Sequence, residues 1–164
     1  MSAWAFRVHN RPKSKKKPEG PPPTPAARAL RLVARRDYTR KELAAKLAPH
    51  VEDAAELEAL LDDFTTRGWL SESRVVEQLV HAKQGRLGAA RIRHALLQRG
   101  VGQELVAAAV ENLRESELER ARAVCARKFP APPEDAAERA RHVRFLQRRG
   151  FSTDVAMRAV GGGD

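Results

Sequence analysis

Cysteine is almost missing from this sequence. Cys125 stands alone among 164 residues, which excludes an intramolecular disulfide framework and a thiolate cluster for zinc. Aromatic residues are scarce at 5%, so any core has to be built from aliphatic side chains. No apolar run approaches the roughly 18 residues of a membrane span. At the N-terminus Trp4, Phe6 and Val8 stand among polar residues, where a signal peptide would carry a continuous apolar stretch. A cytoplasmic protein without membrane contact is expected.

Catalytic motifs are missing too. His9, His50, His81, His94 and His142 fall in no HExxH or CxxC context, and Cys125 sits at an apolar helix position as a small hydrophobe would. There is no GxxxxGK(S/T), no GxGxxG after a strand and no GxSxG. Asp62-Asp63 and Glu134-Asp135 fit the solvent side or first turn of helices, where negative charge complements the helix dipole. The chain is expected to be no enzyme, to use no cofactor and to hold no metal.

Positive charge is what the chain has in excess. Lys and Arg number 31 against 21 Asp and Glu, a net charge of +10. Folding gains little from such an imbalance, so it points to a polyanionic partner. Six cations and one acid fall in residues 1–23, where RPKSKKKPEGPPPTP offers nothing to bury. Residues 1–25 therefore read as a disordered basic tail. Residues 24–70 balance at eight charges of each sign, whereas between Glu77 and Glu104 stand Lys83, Arg86, Arg91, Arg93 and Arg99 with no acid. A local positive field survives there. Arg91 and Arg93 lie two apart and face different ways on a helix, whereas Arg144 and Arg148 lie four apart and share a face beside Arg149.

After Pro25 the apolar spacing is helical throughout, and nothing alternates with the period of a strand. Leu30, Val33 and Ala34 share one face. Thr39-Arg40-Lys41-Glu42 reads as a capping box before Leu43 and Leu47, and Leu57, Leu60, Leu61 and Phe64 follow up to Gly68. Ser71 can cap a helix with Val75, Val76, Leu79 and Val80 inward, which Gly85 and Gly88 interrupt. Beyond it come helices with Ile92 and Leu96, then Leu105, Val106, Ala109 and Leu113. A third unit runs from near Ser116 with Ala121 and Cys125, breaks at Pro130 to Pro133, and resumes through Val143 and Leu146 to Gly150 and Val155. LLQRGVGQELVAAAV (96–110) aligns with FLQRRGFSTDVAMRAV (145–160), matching Gly100 to Gly150 and Leu105 to Val155. Such repeats stack into an array. The expected fold is all-α: an elongated array of three tandem three-helix repeats at 26–70, 71–114 and 115–164. Gly68, Gly88, Gly100 and Gly150 mark its turns, and Arg99, Arg144, Arg148 and Arg149 fall at related places on successive repeats.

ARRDYTRKELAAKL, GWLSESRVVEQLV, GAARIRHALLQRGV and RFLQRRGFSTDV, in that order, resemble the RecX family of regulatory proteins over nearly all of the chain after Pro25. The resemblance implies a monomeric modulator of the RecA recombinase. It would lodge in the groove of RecA filaments on single-stranded DNA and restrain filament growth, ATP hydrolysis, strand exchange and coprotease activity. Gly68, Arg74, Gly88, Arg91, Ile92, Gly100 and the RFLQRRGF segment match family positions. On that footing Arg74, Lys83, Arg86, Arg91, Arg93, Arg99, Arg144, Arg148 and Arg149 are candidates for contact with RecA or DNA, single-stranded or duplex. Arg74 could equally tie its helix to a neighbouring carboxylate. The chain departs from the family pattern at Ser71-Glu72-Ser73, at Val75-Val76 and at Ala95. Two other readings remain open: a helix-turn-helix regulator reading duplex sequence, and a helical scaffold for protein partners that would show no salt-dependent DNA binding.

Overall fold

The computed structural model describes residues 22–161. The expected basic tail falls at residues 1–21 outside them, apart from its last four residues. Among the described residues there are nine α-helices and no strand: α1 Pro25–Val33, α2 Arg40–Leu47, α3 Ala54–Thr66, α4 Glu72–Lys83, α5 Ala89–Gln98, α6 Gln103–Glu115, α7 Glu117–Lys128, α8 Ala136–Arg148 and α9 Thr153–Gly161. A 3₁₀ turn, Ala48–His50, joins α2 to α3.

Local sequence explains most of the helix starts. Thr24 Oγ1 accepts from the Ala27 N–H at 3.2 Å, and Pro25 takes the first helical position, where its missing N–H costs nothing. The first repeat therefore begins one residue earlier than composition suggests. Thr39 and Glu42 form the reciprocal capping box, each side chain accepting from the other's backbone N–H at 3.1 Å. Ser71, Asp53 and Asp135 cap α4, α3 and α8 one way only, each side-chain oxygen accepting a backbone N–H of the first turn. Gly88 and Gly102 precede α5 and α6 with no side chain to offer.

Three separate apolar clusters form, one per repeat. Leu43, Leu47, Leu61 and Phe64 centre the first, Val75, Ile92, Leu96 and Val106 the second, and Ala121, Val124, Leu146, Phe151 and Ala156 the third. Three expected inward residues lie out, among them Ala34, exposed just past the end of α1. Leu30 is 49% and Leu105 37% exposed, because α1 turns Ala29, Leu32 and Val33 inward and α6 turns Val106, Ala109, Val110 and Leu113 inward. Each leucine sits beside its helix's inward stripe.

The repeats meet end to end through their middle helices α2, α5 and α8. The carbonyls of Arg149 and Gly150, just past α8, accept from the N–H groups of Gly88 and Ala90 at the start of α5, at 2.9 and 3.2 Å. Likewise the Arg99 carbonyl at the end of α5 accepts from the buried Thr39 hydroxyl at the start of α2, at 2.5 Å. Each joint thus satisfies orphan groups of two helices at once. Gly100 and Gly150 adopt φ of +81° and +88° there. A Cβ on Gly150 would stand 2.5 Å from Arg91 Cγ, so the left-handed turn and the close approach both require glycine.

Candidate nucleic-acid interface

The nine basic candidates fall into different surroundings. Two are bound to carboxylates of the first repeat. Arg99 grips Glu42 with Nε on Oε1 and Nη2 on Oε2, both at 2.9 Å, and also reaches the Asp37 carbonyl. Burial pushes the Glu42 carboxyl up, but hydrogen bonds from Arg99, the Thr39 backbone and Arg36 outweigh it and hold Glu42 below the ordinary carboxylate range. Arg74 pairs with Asp37 at 2.8 Å and donates to the Gly68 carbonyl at 2.9 Å. Both arginines therefore fasten the second repeat to the first. At Arg99 the positive field expected between Glu77 and Glu104 is neutralised by Glu42.

The joint between the second and third repeats is built differently. A cleft of about 260 Å³ opens there, lined by Arg86 after α4, by Val124, Arg127 and Lys128 of α7, and by Phe145 and Arg149 of α8. Its lining holds four cations and no acid. None of the four forms an ion pair among the described residues. Arg149 lies over the Phe145 ring, 4.4 Å from its centroid, and its Nε is buried without a hydrogen-bond partner. Arg127 is aimed by a hydrogen bond to the Gly85 carbonyl.

Of the expected residues, only Arg86 and Arg149 meet in this cleft. Arg93 lines a second cleft at the same joint, beside Arg114, Glu117 and Gln147. Arg91 is exposed and its stem packs beneath Gly150. Lys83, Arg144 and Arg148 are exposed outside both clefts. Sequence reasoning missed Arg127 and Lys128, although Arg120, Arg122, Arg127 and Lys128 stand between Glu119 and Glu134 with no acid. That local excess was one signal and the period of α7 another, because inward Val124 puts residues 127 and 128 on its own face.

Other polar groups at this joint are structural. Arg120 donates to the carbonyls of Gln84, Leu87 and Leu113 at 2.8–3.1 Å, and burial pulls its guanidinium below the usual arginine range despite nearby Glu117. Burial also pushes the Cys125 thiol up, which suppresses the reactive thiolate. His142 is buried and stacks on Phe129. Among the described residues no group of three His, Cys, Asp or Glu could hold a metal ion, and no helix is long and apolar enough to cross a membrane.

Comparison with known proteins agrees with this architecture. Residues 71–110 match the family model described as RecX, second three-helix domain, and residues 115–160 match RecX, third three-helix domain. The regulatory protein RecX of Leptothrix cholodnii is 50% identical over 133 residues, covering 81% of this chain and 85% of the relative. That of Ralstonia pickettii is 42% identical over 138 residues, covering 84% and 87%. The crystal structure of RecX from Lactobacillus salivarius superimposes with a TM-score of 0.73 at 15% identity, over 84% of this chain and 93% of that one, and so shares the fold. Matched in its repeats, in most of its length and in its helical array, the chain belongs to the RecX family of regulatory proteins.

Proposed function

We propose that the protein is a mainly inhibitory regulator of RecA. It binds RecA filaments on single-stranded DNA as a monomer and restrains filament growth, ATP hydrolysis, strand exchange and coprotease activity, acting in homologous recombination, DNA repair and the SOS response. The observation that supports this reading is an array of three repeats whose second joint leaves four cations unneutralised. Several repeats in a row can touch neighbouring protomers together, while an uncompensated positive cleft reaches phosphates between them. Nothing in this role requires turnover.

The test is the single-stranded-DNA-dependent ATPase of RecA from the same organism, followed as the protein is added from well below to equal stoichiometry. Inhibition at low ratio that persists in excess DNA is the expected outcome. Inhibition relieved by more DNA would reduce the protein to a competitor for nucleic acid. Tight binding of one duplex sequence would favour the helix-turn-helix reading instead.

A further inference from the structure

The two joints of the array are built on one plan and differ in the sign of one charge. Arg99 and Arg149 each precede a left-handed glycine, and each offers its carbonyl to the start of the next middle helix. At the first joint the third residue of the receiving helix is Glu42, and it takes the Arg99 guanidinium on both oxygens. At the second joint the third residue of α5 is Arg91. Arg149 finds no carboxylate there, lies on Phe145, and leaves its Nε buried and unbonded at the wall of a cleft shared with Arg86, Arg127 and Lys128. A buried guanidinium nitrogen without a partner costs free energy, and the charge it carries has no counter-ion at this joint.

We propose that this cleft is a phosphate site in which a backbone phosphate of single-stranded nucleic acid supplies the negative charge that Glu42 supplies at the other joint. The occupant is identified by chemistry. A compact anion with several oxygens can accept together from the Arg149 guanidinium, from the Arg127 N–H groups not spent on the Ala123 and Gly85 carbonyls, and from Lys128. Phe145 beneath Arg149 holds the guanidinium plane at the cleft wall. Binding would also draw the third repeat onto the second, because Arg86 belongs to one repeat and Arg127, Lys128 and Arg149 to the other. The site thus couples strand contact to stiffness of the array, a step beyond the RecA reading that rests on it only for the identity of the polyanion.

The test uses the full-length protein without RecA, so its failure is separate from that of the regulatory reading. A thymidine oligonucleotide or inorganic phosphate is titrated at several salt concentrations, and amide hydrogen exchange is read at Gly88 and Ala90, whose N–H groups cross the joint. The oligonucleotide is expected to slow exchange at both amides. Arg149→Gln, and separately Arg86→Gln with Lys128→Gln, should weaken binding about tenfold or more, the double variant lowering the salt slope by roughly 1.4. Both variants should abolish the protection. Arg122→Gln with Lys46→Gln removes the same charge from exposed places away from the cleft and should leave the protection intact. Equal losses in the cleft and control pairs would overturn the proposal, since affinity would then follow net charge alone. Protection by inorganic phosphate without protection by the oligonucleotide would also overturn it, transferring the site to a free phosphoryl ligand.

Discussion

Glu42 shows how much one side chain can hold. It closes its own helix's capping box, receives Arg99 from the next repeat and meets Arg36 at 3.3 Å. Glu42→Gln removes the charge from its hydrogen bonds with three residues, Thr39, Arg99 and Arg36, and is expected to cost about 2 kcal/mol of stability at neutral pH, measured by denaturant unfolding. Its folded carboxyl is held below the ordinary value, so folding favours the ionised form. That stabilisation is full above the unfolded value of about 4.3 and is lost as pH falls through the lower folded value. Unfolding curves of the wild type and Glu42→Gln should therefore separate above about pH 5 and converge in stronger acid. The capping box was legible from Thr39 and Glu42 alone because its residues are three apart. Arg99 stands 57 residues from Glu42, and no periodicity reports a pair that only the meeting of two repeats creates.

At the level of helices, the sequence reveals those starts whose caps are local. Thr24, Thr39, Ser71 and Asp135 are side-chain caps that precede their helices by one residue. Gly88 and Gly102 look bare, and the missing acceptors come from elsewhere. Glu117, buried at the start of α7, takes the Ala89 N–H at 2.9 Å, and Glu72 of α4 takes the Gly102 N–H at 2.8 Å. The carboxylate of one helix here does the work of an N-cap on another. Glu117→Ala should destabilise the protein by about 1–3 kcal/mol, since it strands a buried N–H. Exchange at the Ala89 amide should rise in that variant while exchange in the first repeat stays unchanged. An effect spread evenly over the chain would show that Glu117 serves general folding and not the start of α5.

Across the whole molecule, apolar clusters lie inside repeats and polar contacts lie between them. This explains what was readable. Helical periodicity reports each core, whereas the joints and the cation cleft arise from placement in three dimensions. Charge reversal at Arg93 probes an exposed position, whereas Arg91→Glu would place a carboxylate at the second joint where Glu42 stands at the first, and Arg99→Glu would break the first joint. The N-terminal region acts separately. Deleting residues 1–21 removes six cations and one acid and leaves the Pro23 carbonyl on Arg28. Non-specific affinity for single-stranded DNA should fall and its salt slope should decrease by up to about 4, with inhibition of the RecA ATPase retained. Loss of that inhibition would make the tail part of the regulatory mechanism.

The joints also give the array a polarity. At each one an earlier repeat meets an incoming carbonyl with a donor: the Thr39 hydroxyl at α2, the Gly88 N–H at α5. The carbonyl comes from the later repeat both times, so the array has a donor side and an acceptor side at every junction, as a single helix has along its axis.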